Sequence, residues 1–350
     1  MSAPPDPNTD TLVVVKPSPL NAETPTPALA AEVTPSRHVY VRSNFAHPQL
    51  DDGAHRIAVG GAVHSPFAID MSELRALPMH TVVATMECAG NDRSSMRPPP
   101  PGELWRSGAV STARWTGVPL AAVLERAGVH TEAVEILVEG ADAGPREDSV
   151  GPVTFGRALP VADALQPDTL LAMMMNGEPL ARPHGAPVRL IVPGWYGMAS
   201  VKWVTRIEAL TTPYRGYFQR KRYVYEDASA TSPVTRMRVK SMIVSPEDGD
   251  VVASAPLLVQ GWAWSGAAPI VRVEVAIGGG DTWRDAQLGA AASTHAWTPW
   301  ELQCDVPQPG RYALRSRATD GAGNVQPDAA RWNRHGYGNN AVRTVIIDVR

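Results

Sequence analysis

Apolar and polar positions follow one pattern up to about residue 232 and another after it. In residues 37–232, short strand-like runs mix with helical patches and many turns. The strand-like runs are residues 57–63, 81–86, 135–139 and 188–192. Residues 119–127 and 160–164 predict helices that open at a proline. Because strict alternation of strand and helix is missing, the mixture predicts an α+β or mixed α/β domain.

Residues 233–350 show the alternation typical of half-buried strands. In one run every second residue is apolar, namely Val271, Val273, Val275 and Ile277. A glycine-rich turn at 278–281 follows. Similar runs recur at 257–264, 300–306, 312–319 and 342–349. Five or more strands with Pro/Gly turns and no helix predict an all-β sandwich of immunoglobulin-like size.

The first 36 residues differ from both regions. They contain eight prolines and no aromatic residue, so they cannot build a core of their own. We interpret residues 1–36 as a Pro-rich N-terminal extension, either a free tail or a segment draped on the body. The formal net charge of −3 lies entirely in this extension. Any anion site in the remaining chain must therefore be a local feature.

Composition excludes several classes of protein. The chain has 350 residues, which suggests about two domains. Its 32 basic residues form no long tract, which argues against nucleic acid as a partner. No apolar run is long enough for a spanning helix, so we expect no membrane association. The N-terminus has neither a basic region nor a twin arginine, so we expect a cytoplasmic location, or a periplasmic one if the sequence is a processed form.

Two cysteines are too few for a disulfide framework. Cys304 lies in a predicted sandwich strand and is expected to be a small buried hydrophobe. Cys88 ends a strand and enters a turn with Gly90 and Asn91. From residue type alone, Cys88 is either a structural thiol or a reactive group presented by a loop. The nearby Arg93 would favour the thiolate, which is a soft metal ligand.

Residues 86–96, MECAGNDRSSM, resemble the signature of the sulfite oxidase family of molybdopterin enzymes. Further segments of the family pattern follow in order at 108–115, 176–180, 184–189, 193–203, 261–266 and 323–328. The resemblance extends from about Tyr40 to the C-terminus. It implies a molybdopterin-binding catalytic domain over residues 37–232. It also implies an immunoglobulin-like dimerisation domain over residues 233–350, which would make the protein a homodimer.

The resemblance implies one molybdenum–molybdopterin cofactor per chain, with Cys88 as the metal ligand. The residues it assigns to the cofactor are Tyr40, Val41, Arg42, Ser43, Asn44, Cys88, Asp142, His184, Arg189, Ser200, Val201 and Lys202. The residues it assigns to the catalytic pocket are Cys88, Arg42, Arg93, Trp105, Arg334 and His335. On residue type alone, His184 would be a surface-loop residue, and Arg189 and Lys202 would be solvated strand residues.

The sequence departs from the family pattern at two pocket positions. Our alignment puts Ser149 where family members carry an active-site tyrosine. It puts His335, beside Arg334, where they carry an arginine. A shorter hydroxyl would replace a phenol, and a titratable ring would replace a fixed cation. We therefore expect the oxygen-transfer centre to be intact and sulfite oxidation to be less efficient.

The resemblance implies an oxidoreductase that transfers an oxygen atom to a small oxyanion, with sulfite as the first candidate. A Cys-x-x-Cys-His motif and a third globular segment are both missing, so we expect no haem and no flavin. Electrons would then leave to an external acceptor, for which a cytochrome is one candidate. A molybdenum reductase of S-oxide, N-oxide or nitrate substrates is the alternative enzyme. A non-catalytic cofactor- or partner-binding module is the alternative outside enzymes, although the Cys88 loop argues against it.

Overall fold

The computed structural model describes residues 12–226, 231–254, 256–278, 282–305 and 308–350. Residues 279–281 of the predicted turn and residue 306 of a predicted strand lie outside this part of the chain. The described residues are rich in strands and contain three short α-helices: α1 (Met71–Arg75), α2 (Leu120–Ala127) and α3 (Val161–Ala164). Helices α2 and α3 begin directly after Pro119 and Pro160, as predicted. None of the described helices is long and apolar enough to span a bilayer.

Fourteen strands precede residue 234 in the described part of the chain. They are β1 (Val13–Lys16), β2 (Asn21–Glu23), β3 (Arg56–Gly61), β4 (Phe67–Asp70), β5 (His80–Glu87), β6 (Val110–Pro119), β7 (Glu135–Gly144), β8 (Val153–Pro160), β9 (Leu170–Met175), β10 (Glu178–Pro179), β11 (Arg189–Ile191), β12 (Val204–Leu210), β13 (Val224–Glu226) and β14 (Thr231–Pro233). Single turns of 3-10 helix occur at Thr26–Ala30, Ser36–His38, Arg93–Ser95, Arg182–His184 and Gly197–Ala199, and a π-helical turn at Phe218–Arg222.

Two five-stranded sheets form the first domain. One has the order β10-β9-β6-β5, with β11 also paired to β9, and all its pairs are antiparallel. The other has the order β4-β3-β12-β7-β8 and contains one parallel pair, β12 with β3. Strand β5 is buried along its last six residues and leads directly into Cys88. The end of a central, rigid element therefore presents this cysteine.

The second domain is all-β in its described residues. Its strands are β15 (Lys240–Ser245), β16 (Val251–Val252), β17 (Pro256–Trp264), β18 (Ile270–Ile277), β19 (Trp283–Asp285), β20 (Gln287–Leu288), β21 (Thr298–Asp305), β22 (Gly310–Asp320) and β23 (Thr344–Val349). They form sheets of order β15-β17-β21-β20 and β16-β23-β22-β18-β19. Residues of both sheets, including the buried Cys304, share one apolar core.

Strand β18 does not alternate as the sequence pattern predicts. The register with β22 shifts between Ile270 and Arg272, and Val271 between them is 57% exposed. Glu274, predicted to face solvent, is buried and is held by Arg317, whose Nε lies 2.8 Å from Glu274 Oε2. A bulge and a buried ion pair depend on the partner strand, so the local pattern does not reveal them.

Residues 12–36 of the N-terminal extension form an ordered strap across the body. Leu29 packs into the main core of the first domain. Two tryptophans of the second domain donate their indole N–H to the strap, Trp262 to Leu29 O at 2.7 Å and Trp297 to Glu32 O at 2.8 Å. Residues 12–36 therefore lie on the body, whereas residues 1–11 of the predicted extension lie outside the described part of the chain. We refer to residues 12–36 as the strap.

Candidate active site

A cavity opens where strand β5 ends. Eleven of the twelve residues expected to contact a cofactor line it: Tyr40, Val41, Arg42, Ser43, Asn44, Cys88, Asp142, His184, Arg189, Ser200 and Lys202. Val201 is fully buried behind the cavity wall, where its carbonyl accepts from Leu190 N at 2.7 Å. Segments distant in sequence thus converge on one space.

Cys88 is buried, and backbone hydrogen bonds fix its position. Its amide donates to Ala109 O at 2.8 Å, and its carbonyl accepts from Asn91 N at 2.9 Å. Burial raises the pKa of the thiol, whereas the charges of Arg42 and Arg93 act in the opposite direction. A cation bound at the sulfur would add to these charges and favour the thiolate further.

The Arg42 guanidinium is held on several sides. Nη1 donates to Asn21 Oδ1 at 3.0 Å, and Nη2 donates to Asn44 Oδ1 at 2.9 Å. Nη2 also lies 3.6 Å from Glu103 Oε2. Burial works to lower the pKa of Arg42, but the neighbouring Tyr223, Glu103 and Cys88 outweigh it, and the pKa is raised. Arg42 is therefore a fixed cation on the cavity wall.

Arg93 is buried next to the Cys88 turn. Its Nε donates to His335 O at 3.1 Å and its Nη1 to Glu103 O at 2.7 Å, while the guanidinium lies over the Tyr337 ring. Gly90 makes room for it, since a Cβ there would lie 2.5 Å from Arg93 Nη2. Two nitrogens of the Arg93 guanidinium are thus held by main-chain carbonyls.

Two cationic side chains, Arg189 and Lys202, line another part of the cavity beside His184. Arg189 donates to His184 O at 3.0 Å and to Ser200 O at 3.1 Å, and lies over the Trp115 ring. Lys202 Nζ donates to Ser43 Oγ at 3.0 Å and to Pro183 O at 2.8 Å. These contacts neutralise none of the charge, because their acceptors are carbonyls and one hydroxyl.

The electrostatics of this part of the cavity favour an anionic ligand. Burial, then Arg189 and Lys202, lower the pKa of His184 to about 3. Burial and Arg189 also hold the pKa of Lys202 well below its usual range. Like charges at short range in a dry site disfavour each other, and a bound anion would relieve that cost.

Comparison with known protein families gives matches in both domains of the chain. The model of the oxidoreductase molybdopterin binding domain matches residues 44–218, and that of the Mo-co oxidoreductase dimerisation domain matches residues 231–350. The sulfite oxidase of Arabidopsis thaliana is 31% identical, over 94% of this chain and 92% of its own length. The chain belongs to the sulfite oxidase family.

Other relatives in the family are longer or differ in name. Mitochondrial sulfite oxidase of Rattus norvegicus is 35% identical over 95% of this chain, which spans 64% of that relative's length. The crystal structure of the sulfane dehydrogenase SoxCD from Paracoccus pantotrophus superimposes with a TM-score of 0.82 at 30% identity. That match covers 94% of this chain and 84% of the other.

The residues present fit the molybdopterin of the sulfite oxidase family. Asp142 Oδ1 is buried and finds no hydrogen-bond partner among the described residues, so it can accept from a bound heterocycle. Burial raises the pKa of Asp142 to about 6, although Lys202 opposes this. His184, Arg189 and Lys202 suit an anionic phosphate tail, and Cys88 suits a metal.

Not every residue expected in the catalytic pocket lines the cavity. Trp105 is fully buried in the apolar cluster around Cys88. Arg334 has 72% of its side chain exposed and pairs with Glu226 at 3.3 Å. His335 is mostly buried, and burial lowers its pKa. Its carbonyl, rather than its ring, holds Arg93. The roles assigned to these residues stay predictions.

The structure places a tyrosine in the cavity after all. Tyr223 lines it, and the phenol oxygen accepts from Asn44 Nδ2 at 3.3 Å. Ser149 instead lies in a surface turn, where its hydroxyl bonds Arg146 O and Gly151 O. The expectation that a serine replaces the phenol of the pocket is therefore wrong. Tyr223 also stacks on Tyr337 with ring centroids 5.3 Å apart, and burial raises the pKa of Tyr337 to about 12.

Tyr223, Asn21 and Glu103 are functional candidates that the sequence did not reveal. Tyr223 follows a basic stretch that reads as a connector, and Asn21 lies in the Pro-rich strap. Only the tertiary fold brings them to Arg42 and the cavity. In the structure Tyr223 lies just beyond the π-helical turn Phe218–Arg222, and such turns are frequent at functional sites.

Proposed function

We propose that this chain is a molybdenum-dependent oxidoreductase that oxidises a small sulfur oxyanion, most simply sulfite, and passes the electrons to an external acceptor. The observation that carries the proposal is the buried Cys88 in a cavity whose walls carry Arg42, Arg189 and Lys202. A soft ligand at one end and cations around it suit both a molybdenum cofactor and an anionic substrate.

The bound cofactor would supply oxygen-atom transfer and two-electron chemistry. The chain's own residues bind and orient. Cys88 would ligate the metal, and His184, Arg189 and Lys202 would hold the phosphate tail. Arg42 attracts the oxyanion and fixes its orientation. The Tyr223 phenol accepts from Asn44, and among the described residues its own O–H donates to no protein group, so it can donate to substrate.

The finer assignments belong to the same proposal. The dimerisation-domain match supports a homodimer built through residues 231–350, whose two sheets we assign to the immunoglobulin-like class. We propose that residues 37–350 carry neither haem nor flavin. A separate redox protein, such as a cytochrome, would then be the electron acceptor. We also propose a cytoplasmic location.

Metal analysis and turnover test the proposal together. Protein purified from a molybdenum-replete host should contain about one molybdenum per chain and oxidise sulfite with ferricyanide as acceptor. Cys88→Ser should abolish that turnover, whereas Cys304→Ser, which alters the buried thiol of the sandwich, should leave it unchanged. Absence of molybdenum, or unchanged turnover in Cys88→Ser, would contradict the enzymatic function.

A second assay separates oxidation from reduction. Reduction of S-oxides, N-oxides or nitrate by a reduced viologen should be slower than oxidation of sulfite. Faster reductive turnover would replace sulfite oxidation by the molybdenum reductase. Oxidation of a sulfane sulfur substrate in preference to sulfite would place the chain functionally beside SoxCD.

A further inference from the structure

A buried ammonium of the second domain lies directly behind the Cys88 turn. Lys240, at the start of β15, is almost fully buried. Its Nζ lies 2.8 Å from Glu87 Oε1 and 2.7 Å from Asp92 Oδ2, and it donates to Asn339 O at 3.1 Å. Both carboxylates belong to the first domain. The contact is therefore an ion cluster that joins the two domains.

The two carboxylates flank the cysteine in sequence. Glu87 precedes Cys88, and Asp92 ends the turn in a left-handed conformation with φ 62°. Glu87 is held further by the indole N–H of Trp264 at 3.0 Å and by Asn91 Nδ2 at 3.0 Å. A single cation from another domain thus ties together both ends of the turn that carries the sulfur.

Asp92 has further partners on its other oxygen. Oδ1 accepts from Ser107 Oγ at 2.9 Å and lies 3.0 Å from Arg343 Nη1, which also comes from the second domain. Two carboxylates therefore face two cations, and the cluster is electrically balanced. Burial lowers the pKa of Lys240, but Asp92 and Glu87 outweigh it and raise the pKa.

We expect such a cluster to fix the geometry of the Cys88 turn rather than to add stability. Replacing a buried ion pair by apolar residues is often neutral or stabilising, so the charges are weak evidence for a stabilising role. Groups that orient a metal ligand from behind, however, tune metal affinity and reactivity. Lys240 does not line the cavity; it contacts Glu87, the residue before Cys88, and Asp92, four residues after it.

We propose that Lys240 is a positioning residue that fixes the Cys88 sulfur for the metal, so that the second domain completes the cofactor site of the first. This inference rests on the proposed function, since it takes Cys88 as the ligand. Without the Lys240 ammonium, the turn 88–91 would have more conformational freedom, and the Cys88 sulfur would sample several positions instead of one.

The reactivity of the thiol measures this without turnover. In full-length chain made without cofactor, Lys240→Met should raise the rate of Cys88 alkylation by iodoacetamide about tenfold or more. Cys304 is an internal control, because it is buried in the sandwich core and far from the cluster. General loosening would raise the alkylation of both cysteines, whereas loss of positioning raises only that of Cys88.

Two further variants separate positioning from folding. Ser241→Ala changes the neighbouring buried residue, whose hydroxyl bonds Ser316 Oγ rather than the turn, and should leave Cys88 protected. In Glu87→Gln with Lys240→Met, Asp92 keeps Arg343 and no carboxylate is left unpaired. This double variant should fold even if the single one does not, and its Cys88 should again react faster.

The loaded enzyme gives the second readout. Lys240→Met, or the double variant, should lower kcat for sulfite about tenfold while KM changes much less, and should alter the Mo(V) electron paramagnetic resonance signal. Unchanged alkylation together with an unchanged Mo(V) signal would overturn the role of Lys240. If the parent itself binds no molybdenum, the proposed function fails, whereas the alkylation result still reports whether Lys240 holds the turn.

Discussion

Arg42 shows how a single side chain depends on residues that no motif includes. Its guanidinium is aimed by the Asn21 amide, which also accepts from Ser43 N at 2.9 Å, and by Asn44. Asn21 itself is fully buried. Hydrogen bonds that hold a charged group contribute about 1.5–3 kcal/mol each, so the amide can fix the direction of the cation.

We predict that Asn21→Leu weakens substrate binding more than turnover. Without the amide oxygen, Arg42 loses one of its anchors and points less precisely at the oxyanion. KM for sulfite should rise about tenfold, which corresponds to about 1.4 kcal/mol, with a smaller change in kcat. Steady-state kinetics at constant molybdenum content measure the split.

Thr24→Val is the matched control for Asn21. Thr24 lies in the same segment and bonds Val110 O and Ser111 Oγ, but it does not touch Arg42. The KM of Thr24→Val for sulfite should stay within about twofold of that of the parent. An equal rise of KM in both variants would show that the segment acts only by packing.

Asp142 predicts a pH dependence of stability in the chain without cofactor. Its pKa is raised to about 6 by burial, above the ordinary value of 3.8. The folded state therefore favours the protonated carboxyl. The corresponding stability is present below about pH 4 and is lost as the pH rises through 6, by an amount on the order of 2–3 kcal/mol.

Urea unfolding of Asp142→Asn checks this sign. The amide does not titrate, so the variant should gain stability relative to the parent between pH 4 and pH 7.5. If the urea midpoints of Asp142→Asn and of the parent differed by the same amount at every pH in that range, Asp142 would be solvated or paired when the cofactor is absent. Bound cofactor should reduce the difference, because it provides the missing partner for Oδ1.

The sequence predicted the site residues that lie in contiguous motifs and missed those that arrive by tertiary approach. Cys88, His184 and Lys202 were found because their neighbours repeat a family pattern. Tyr223 was missed and Ser149 was put in its place, because the loop around 149 offered no pattern to fix the alignment. Local sequence does not encode which distant side chain fills a given space.

Among the elements, the strap was the hardest to predict. Its prolines and lack of aromatic residues are typical of disorder. Its order comes from outside, through the Trp262 and Trp297 indoles and through Ala22, which exchanges two 2.9 Å backbone bonds with Val41. Strands β5 and β17, in contrast, carry their own apolar pattern and were predicted within a residue or two of their bounds.

We predict that Trp297→Phe loosens the strap. The indole N–H bonds Glu32 O at 2.8 Å in a buried position, so its removal should cost about 1–2 kcal/mol. Limited proteolysis should then cut within residues 24–36 faster than in the parent. Trp283→Phe alters an indole that packs on Arg317 away from the strap and should leave the cutting rate unchanged.

At the scale of the whole molecule, residues of the first domain line the cavity, and the strap and the second domain contact these residues from outside it. Arg42 depends on the strap and the Cys88 turn on Lys240. The first domain thus supplies the cavity walls, while the two outer parts fix the residues that act in it. Neither outer part contributes a residue to the cavity lining, so the sequence motifs of the site do not reveal their roles.

The charge of the cavity predicts how the whole chain responds to anions when the cofactor is absent. Arg189 and Lys202 repel each other there, and burial prevents water from screening them. Sulfate or phosphate at about ten times its Kd should stabilise the chain by about 1.4 kcal/mol and raise Tm by about 2 °C. Sodium chloride at equal ionic strength should have a smaller effect, because chloride accepts fewer directed hydrogen bonds.

Lys202→Met should reduce the rise of Tm with sulfate, and enzyme with bound cofactor should show no rise. An equal Tm rise with chloride, or in Lys202→Met, would mean that the anions act on the surface of the protein rather than in the cavity.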